Sequence, residues 1–361
     1  MHRGRDVAGL LGVDEADHIV SSMALRTPAF RLVKGGVTLD PSVSTRRARI
    51  GSRTVTDLID VGRVWDNFAD GATIVLQGLH RYWPPVAELC RELEEDLSHP
   101  VQANAYITPP VAQGLRVHAD RHDVFALQTH GVKQWVVYDD DPRSGPDGSE
   151  QTPSLDARLR TGDCLYIPQR VRHAARTVDL ASIHLTLGVR SVTWADVLVP
   201  VWKRAVEDPW LREPLPAGFA RDPEALAQET GRRLKQVSER LATADAGEVV
   251  ARAAREVPAA RTPDLGGQLH QLLVAGDIDD RTIVRRRPHA ACAISRHGDM
   301  VHAELGDRTL RMPASAEPAL RTALDRREFA VADLGDHLDE PGRVALVRRL
   351  VREGLLMAVD G

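Results

Sequence analysis

The stretch GLRVHADRHDVFALQTHGVKQWVVYDD, Gly114–Asp140, decides how the rest of the chain is read. Short apolar blocks separated by turn residues mark it as strand-forming. His118 and Asp120 lie two apart, so on a strand both side chains leave the same face. By the same parity Lys133 shares a face with Trp135 and Val137. An imidazole, a carboxylate and an ammonium inside an apolar pattern are costly to bury unless something pairs with them.

Working outward, strands are expected at Ala103–Thr108, Leu115–Asp120, Val124–Thr129, Lys133–Tyr138, Cys164–Pro168 and Ala181–Val189. RLVKGGVTLD carries a Gly-Gly turn between two apolar runs, the pattern of a hairpin, and ATIVLQG is a short buried strand. RYWPPVAELCRELEEDL reads as a helix opened by prolines, with Val86, Leu89, Cys90, Leu93 and Leu97 on one stripe. Many short strands with one early helix give a mixed β and α chain built on a double-stranded β-helix, the cupin or jelly-roll barrel. DDDPRSGPDGSEQTPSLDARLRTGD reads mostly as a surface loop, either a connector or a rim over the barrel mouth.

The pattern turns helical near Val199, where Asp222 and Pro223 open a charged helix whose apolar stripe needs a second surface. That surface is either a second copy or the barrel. The last hundred residues mix helices with a β-ribbon and a short terminal strand, as in a winged helix, with Gly354 stopping the final helix. Three parts are therefore expected: a catalytic barrel over 1–198, a helical dimerisation segment over 199–257 and a winged-helix-like domain over 258–361.

The formal net charge of −4 gives no overall reason to expect nucleic acid as a partner. No window has the apolar length of a membrane span, and the N-terminus lacks the core of a secretory signal. Cys90, Cys164 and Cys292 are far apart and form no CxxC pair, which fits a reducing cytoplasm.

His-x-Asp alone is a weak signal, since two polar residues on a surface strand explain it as well. TGDCLYIPQRVRHAA changes the balance, because a turn and a buried strand deliver His173 where it can meet His118 and Asp120 inside a barrel. Two imidazoles and a carboxylate on one face of a metal suit non-haem Fe(II) and leave positions open for a cosubstrate and O2. Read alone, His173 is equally a capping histidine. Lys133 either extends its charge to the surface or holds an anion; beside an iron site that anion is the distal carboxylate of 2-oxoglutarate. In SIHLTLG, parity sets Ser182, His184 and Thr186 on one face and Ile183, Leu185 and Leu187 on the other. Thr186 is a candidate donor to the cosubstrate. His184 either touches it or is a hydrogen-bonded core histidine. Asn104 and Tyr106 share a face in ANAYITPP as further candidate donors, although Tyr106 also fits as barrel packing. His122 and His130 sit at edges or turns and are assigned no metal role.

Taken in order, QANAYITPPVAQGL, HADRHDVFALQTHGVKQW, GDCLYIPQRVRHAA and SIHLTLG resemble the JmjC-type ribosomal oxygenases, a cupin family dependent on Fe(II) and 2-oxoglutarate. The resemblance implies iron ligands at His118, Asp120 and His173, a distal-carboxylate contact at Lys133, and cosubstrate contacts near Asn104, Tyr106 and Thr186. It also implies a dimer and a protein substrate, with hydroxylation on a ribosomal histidine or arginine. A dedicated peptide substrate fits the sequence equally. Ala119 departs from the family, which often has a larger residue between the two ligands, and is expected to alter the pocket floor. The rival reading is a winged-helix nucleic-acid binder or sensor with a non-catalytic barrel. It rests on Arg343, Arg348, Arg349 and Arg352 in GRVALVRRLVREG, which a solvated helix face also explains.

Overall fold

The computed structural model describes residues 1–138, 153–259, 264–305 and 308–359. They fall into two compact units, Met1–Ser191 and Val192–Gly361.

The first unit holds helices α1 (Val13–Ser22), α2 (Val61–Ala69) and α3 (Pro84–Leu97). Its early strands are β1 (Phe30–Lys34), β2 (Val37–Thr38), β3 (Thr45–Ile50), β4 (Arg53–Ile59), β5 (Thr73–Leu76) and β6 (Val101–Thr108). Then come β7 (His118–Ala119), β8 (Asp123–Tyr138), β9 (Pro153–Arg160), β10 (Cys164–Ile167), β11 (Arg172–Arg176) and β12 (Ser182–Val189). The main sheet runs β2-β1-β5-β6-β12-β8-β11-β7, with β9 and β10 also on β8, and its pairings are antiparallel. The Gly35–Gly36 turn between β1 and β2 has positive φ at both residues, as a tight hairpin requires.

The two strands expected at 124–129 and 133–138 are one. β8 runs through both layers of the curled sheet, pairing with β12 and β10 before Gly131 and with β9 and β11 beyond it. Gly131 sits at the bend with φ 69°, and a Cβ there would lie 2.1 Å from the carbonyl oxygen of Ala181. Only glycine fits that approach. Residues 139–152 of the expected loop lie outside the described residues. The rest of it is mostly strand, since β9 pairs along β8 from Val132 to Tyr138. The loop reading failed there because β9 alternates at a sheet edge, with too little apolar content to show as a strand.

The core of this unit packs α1 and α3 against one face of β1, β5, β6 and β12, joining Ile19, Phe30, Leu76, Val86 and Leu185. Ile183, Leu185 and Leu187 point into it, so the opposite face of β12 is left for polar residues.

The second unit opens with α4 (Trp194–Val206), α5 (Pro223–Ala242) and α6 (Ala246–Ala259). Asp222 caps α5 by accepting from Ala225 N at 3.0 Å. There follow α7 (Gln268–Val274), β13 (Ile283–Arg286), β14 (Ala293–His297), β15 (Met300–Leu305), β16 (Arg308–Pro313), α8 (Glu317–Asp325), β17 (Glu328–Ala330), α9 (Glu340–Arg352) and β18 (Leu356–Ala358). β14, β15 and β16 form a meander, and β17-β13-β18 a second small sheet over α8 and α9. No described helix is long and apolar enough to cross a membrane, and the three cysteines are free.

If the bend at Gly131 fixes β8 in both layers, Gly131→Ala loses roughly 2–4 kcal/mol of stability, combining positive-φ strain with a backbone clash. Urea denaturation of the two proteins measures the difference; equal midpoints would refute the hinge.

Candidate metal and dicarboxylate site

β7 and β11 pair so that His118 and His173 lie directly opposite each other. Asp120 Oδ2 comes within 3.5 Å of His173 Nε2 and 3.9 Å of His118 Nε2. One ligand atom from each of the three lies within 4.8 Å of the others. His118 Nδ1 is 2.9 Å from the Arg116 carbonyl oxygen and His173 Nδ1 is 3.0 Å from that of Val171. A carbonyl only accepts, so each Nδ1 carries a proton and each Nε2 is the ring nitrogen on the side of Asp120. Burial pushes the His173 pKa below its ordinary value, which keeps it a neutral donor to a metal. Hydrogen bonds behind the ligating nitrogens are what orient a metal-binding histidine, so the donor set fits a divalent ion. Sequence spacing placed all three residues, and the fold brings them together.

Lys133 lies in the same cavity wall, 3% exposed, with no carboxylate partner among the described residues. Its Nζ donates to Thr108 Oγ1 at 2.8 Å and lies 3.3 Å from His184 Nδ1. Thr73 Oγ1 donates to Thr108 Oγ1 at 3.2 Å. Burial lowers the Lys133 pKa to about 7. Burial first, then the Lys133 charge, hold the His184 pKa well below its usual value. His184 is therefore neutral, with Nδ1 free to accept from the ammonium. Its ring stacks on Tyr106 with centroids 4.8 Å apart and meets Trp135 edge-on at 5.2 Å.

An ammonium has three hydrogens, and Thr108 and His184 take two. Lys133, Tyr106, Trp135 and Thr186 line one cavity of about 40 Å³ together with the His–Asp–His set. The Trp135 nitrogen is buried with no acceptor among the described residues. Burial raises the Tyr106 pKa, so its hydroxyl stays a donor. A wall of donors and one cation at one end, with a metal-ready face at the other, suits a chelating dicarboxylate.

Asn104 does not line this space: its Oδ1 accepts from Gly78 N at 2.9 Å, although it pairs across strands with Thr186. Ala119 is exposed and absent from the cavity wall, because alternation turns it away from His118 and Asp120. It therefore does not form the pocket floor as expected. His122 lies against Gly188 and His130 is exposed, so neither joins the ligands. Thr73 and Thr108 were missed. Thr108 continues the parity of Asn104 and Tyr106 and could have been found; Thr73 sits on a four-residue buried strand with no such signal.

A family model described as the JmjC domain matches residues 80–197, a span that contains His118, Asp120, Lys133, His173 and Thr186. Residues 80–197 are a JmjC domain. The resemblance to the JmjC-type oxygenases is thereby borne out. The chain is 34% identical over 158 residues to a Dictyostelium discoideum protein named bifunctional lysine-specific demethylase and histidyl-hydroxylase NO66, covering 40% of this chain and 30% of that one. The Drosophila melanogaster protein of the same name is 34% identical over 160 residues, covering 40% and 24%. The chain thus spans under a third of these relatives. In fold it is similar to the Escherichia coli ribosomal oxygenase YcfD in complex with cobalt and 2-oxoglutarate, with a TM-score of 0.55 at 18% identity over 97% of this chain and 91% of that one.

The JmjC domain's buried lysine sets a pH dependence. If Lys133 holds the distal carboxylate, a dicarboxylate binds its ammonium form, and in the free pocket that form is lost above a pH of about 7. Affinity for 2-oxoglutarate is therefore flat below that pH and falls by up to about tenfold per unit above it, as a proton must be taken up on binding. Titration calorimetry on protein loaded with a redox-inert divalent ion reads this slope. Lys133→Met should bind weakly with no such slope; a wild-type affinity constant to about pH 9 would refute the assignment.

Proposed function

We propose that the protein is an Fe(II)- and 2-oxoglutarate-dependent oxygenase that hydroxylates a side chain of a protein or peptide. The observation that carries this reading is a His–Asp–His set and a buried ammonium without a carboxylate partner in one cavity wall. The three ligands alone suit several metals, and a buried lysine alone suits several anions; together they select a metal-chelating dicarboxylate. When bound, ferrous iron would supply the chemistry by which 2-oxoglutarate and O2 become succinate and CO2 with one oxygen atom delivered to a substrate C–H bond. The chain's residues would hold the rest: His118, Asp120 and His173 would ligate the metal, and Lys133 would neutralise the distal carboxylate. Tyr106 and Thr186 donate along its length, and His184 supports Lys133.

The relatives' names record histidyl hydroxylation and lysine demethylation, and the similar E. coli protein is described as a ribosomal oxygenase. The histidyl and ribosomal wording supports a ribosomal-protein histidine as substrate, with a ribosomal arginine or a dedicated peptide as other members of the same class. A cytoplasmic setting fits the free cysteines.

We further infer a homodimer through the second unit. α4 leaves Trp194, Leu198 and Trp202 exposed by 77%, 54% and 46%, four residues apart on one stripe. We read α7, α8, α9 and the β17-β13-β18 sheet as the winged-helix-like tail. Its α9 arginines serve the fold: Arg343 pairs with Asp280, Arg348 donates to the Ile278 carbonyl and Arg349 pairs with Glu353.

Anaerobic addition of Fe(II) and 2-oxoglutarate should produce the weak visible charge-transfer band of the chelate. His118→Ala should abolish it, and Lys133→Ala should require about 100-fold more cosubstrate, as expected when a buried charge pair is broken. Absence of a band in wild type at saturating cosubstrate would remove the oxygenase reading. Light scattering at micromolar protein should give twice the 39.7 kDa chain mass; a monomer mass would sink the dimer.

A further inference from the structure

The β3–β4 hairpin pairs with no other named strand; only its base is bridged, through the Arg26–Leu58 pair and Ile59 N donating to the Leu25 carbonyl at 2.8 Å. Residues 41–56 hold Arg46, Arg47, Arg49 and Arg53 and no acidic residue, in a chain whose net charge is −4. All four arginines are exposed. Among the described residues none forms an ion pair, and the one side-chain hydrogen bond is Arg49 Nε to the Gly51 carbonyl within the hairpin. The carboxylates flanking the segment in sequence have other partners: Asp40 accepts from Ser42, Asp57 pairs with Arg26 at 2.7 Å and Asp60 with Arg63 at 3.4 Å.

This contrasts with α9. Its arginines looked like a nucleic-acid face in the sequence, yet three of them are tied to Asp280, the Ile278 carbonyl and Glu353. The hairpin arginines have no such work inside the molecule. An isolated two-stranded ribbon is marginal in water, and like charges packed along it weaken it further. Its base is nevertheless fixed, since Arg63 and Asn67 of α2 donate to the carbonyls of Ser42 and Val43. A built ribbon carrying uncompensated charge calls for an anion from outside.

The register says what shape that anion has. Arg49 lies opposite Thr54, and Ile50 opposite Arg53. By alternation Arg49 and Arg53 leave opposite faces of the ribbon. A flat membrane reaches one face only. The groove of a nucleic-acid duplex presents phosphates on both sides, and a major groove admits a two-stranded β-ribbon. Guanidinium groups and the flanking Thr54 and Thr56 hydroxyls are the usual partners of phosphate oxygens.

We propose that the β3–β4 hairpin is a nucleic-acid-binding ribbon, in which Arg46, Arg47, Arg49 and Arg53 engage the phosphate walls of a duplex groove. The net charge of −4 gave no overall reason to expect this partner; the positive charge is local to the ribbon. It stands independently of the metal site.

The test is fluorescence anisotropy of the full chain with a labelled 20-base-pair DNA or RNA duplex of mixed sequence, over a salt series. Neutralising about four phosphates predicts binding that weakens about 10²-fold between roughly 50 and 200 mM salt. The fourfold Arg→Gln variant should lose most of that affinity and slope while keeping its circular dichroism and its 2-oxoglutarate affinity. The fourfold Arg→Lys variant should bind within several-fold of wild type, which also guards against a misfolded glutamine variant. Preference between the DNA and RNA arms identifies which duplex is held. No salt-dependent binding to either duplex would overturn the proposal. So would equal binding by the glutamine variant, or binding to anionic vesicles or polyglutamate as tight as to either duplex.

Discussion

A buried ammonium without a buried carboxylate is the constraint around which the barrel is arranged. Lys133 is held by Thr108 and His184, and burial draws its pKa down to about 7. Two neutral acceptors hold its direction without cancelling its charge. Had a glutamate occupied either place, the pair would have satisfied itself and the cavity would have no claim on an incoming anion. Thr73 behind Thr108, and Tyr106 and Trp135 against His184, are the supports that keep this arrangement from relaxing.

The metal-ready face follows from the same strand. β8 puts Lys133 in the wall only because it bends at Gly131, passing from the β12 and β10 pairings to those with β9 and β11. β11 then lies beside the second half of β8 and sets His173 opposite His118 of β7. One glycine with no room for a Cβ thus governs both ends of the cavity.

The reacting groups were legible because period-two alternation reports a strand's face directly. His118, Asp120, Lys133, Tyr106, His184 and Thr186 all reach the cavity as parity indicated. Parity reports a face but says nothing of depth or of partners on distant strands. Asn104 has the right face, yet its side chain turns to Gly78, 26 residues away in sequence. Thr73 and Lys133 meet through Thr108 across intervals of 35 and 25 residues. Ala119 shows the opposite case: its departure from the family pattern drew notice, but alternation alone would have turned it outward.

The cavity has a closed end and an open one, and this divides the labour between its occupants. The side chain of His173 is 4% exposed, whereas those of His118 and Asp120 are 35% and 28% exposed. A small dicarboxylate suits the closed side, where Lys133, Tyr106 and Trp135 offer donors and exclude water. On the side of β7 the ligand set is open to solvent at His118 and Asp120. On the proposed function, the groups assigned to the cosubstrate are buried and held by the barrel, while access to the ligand set lies at the rim around β7. Burial makes the first group readable from strand pattern. The second is read only from the surface that the folded rim presents.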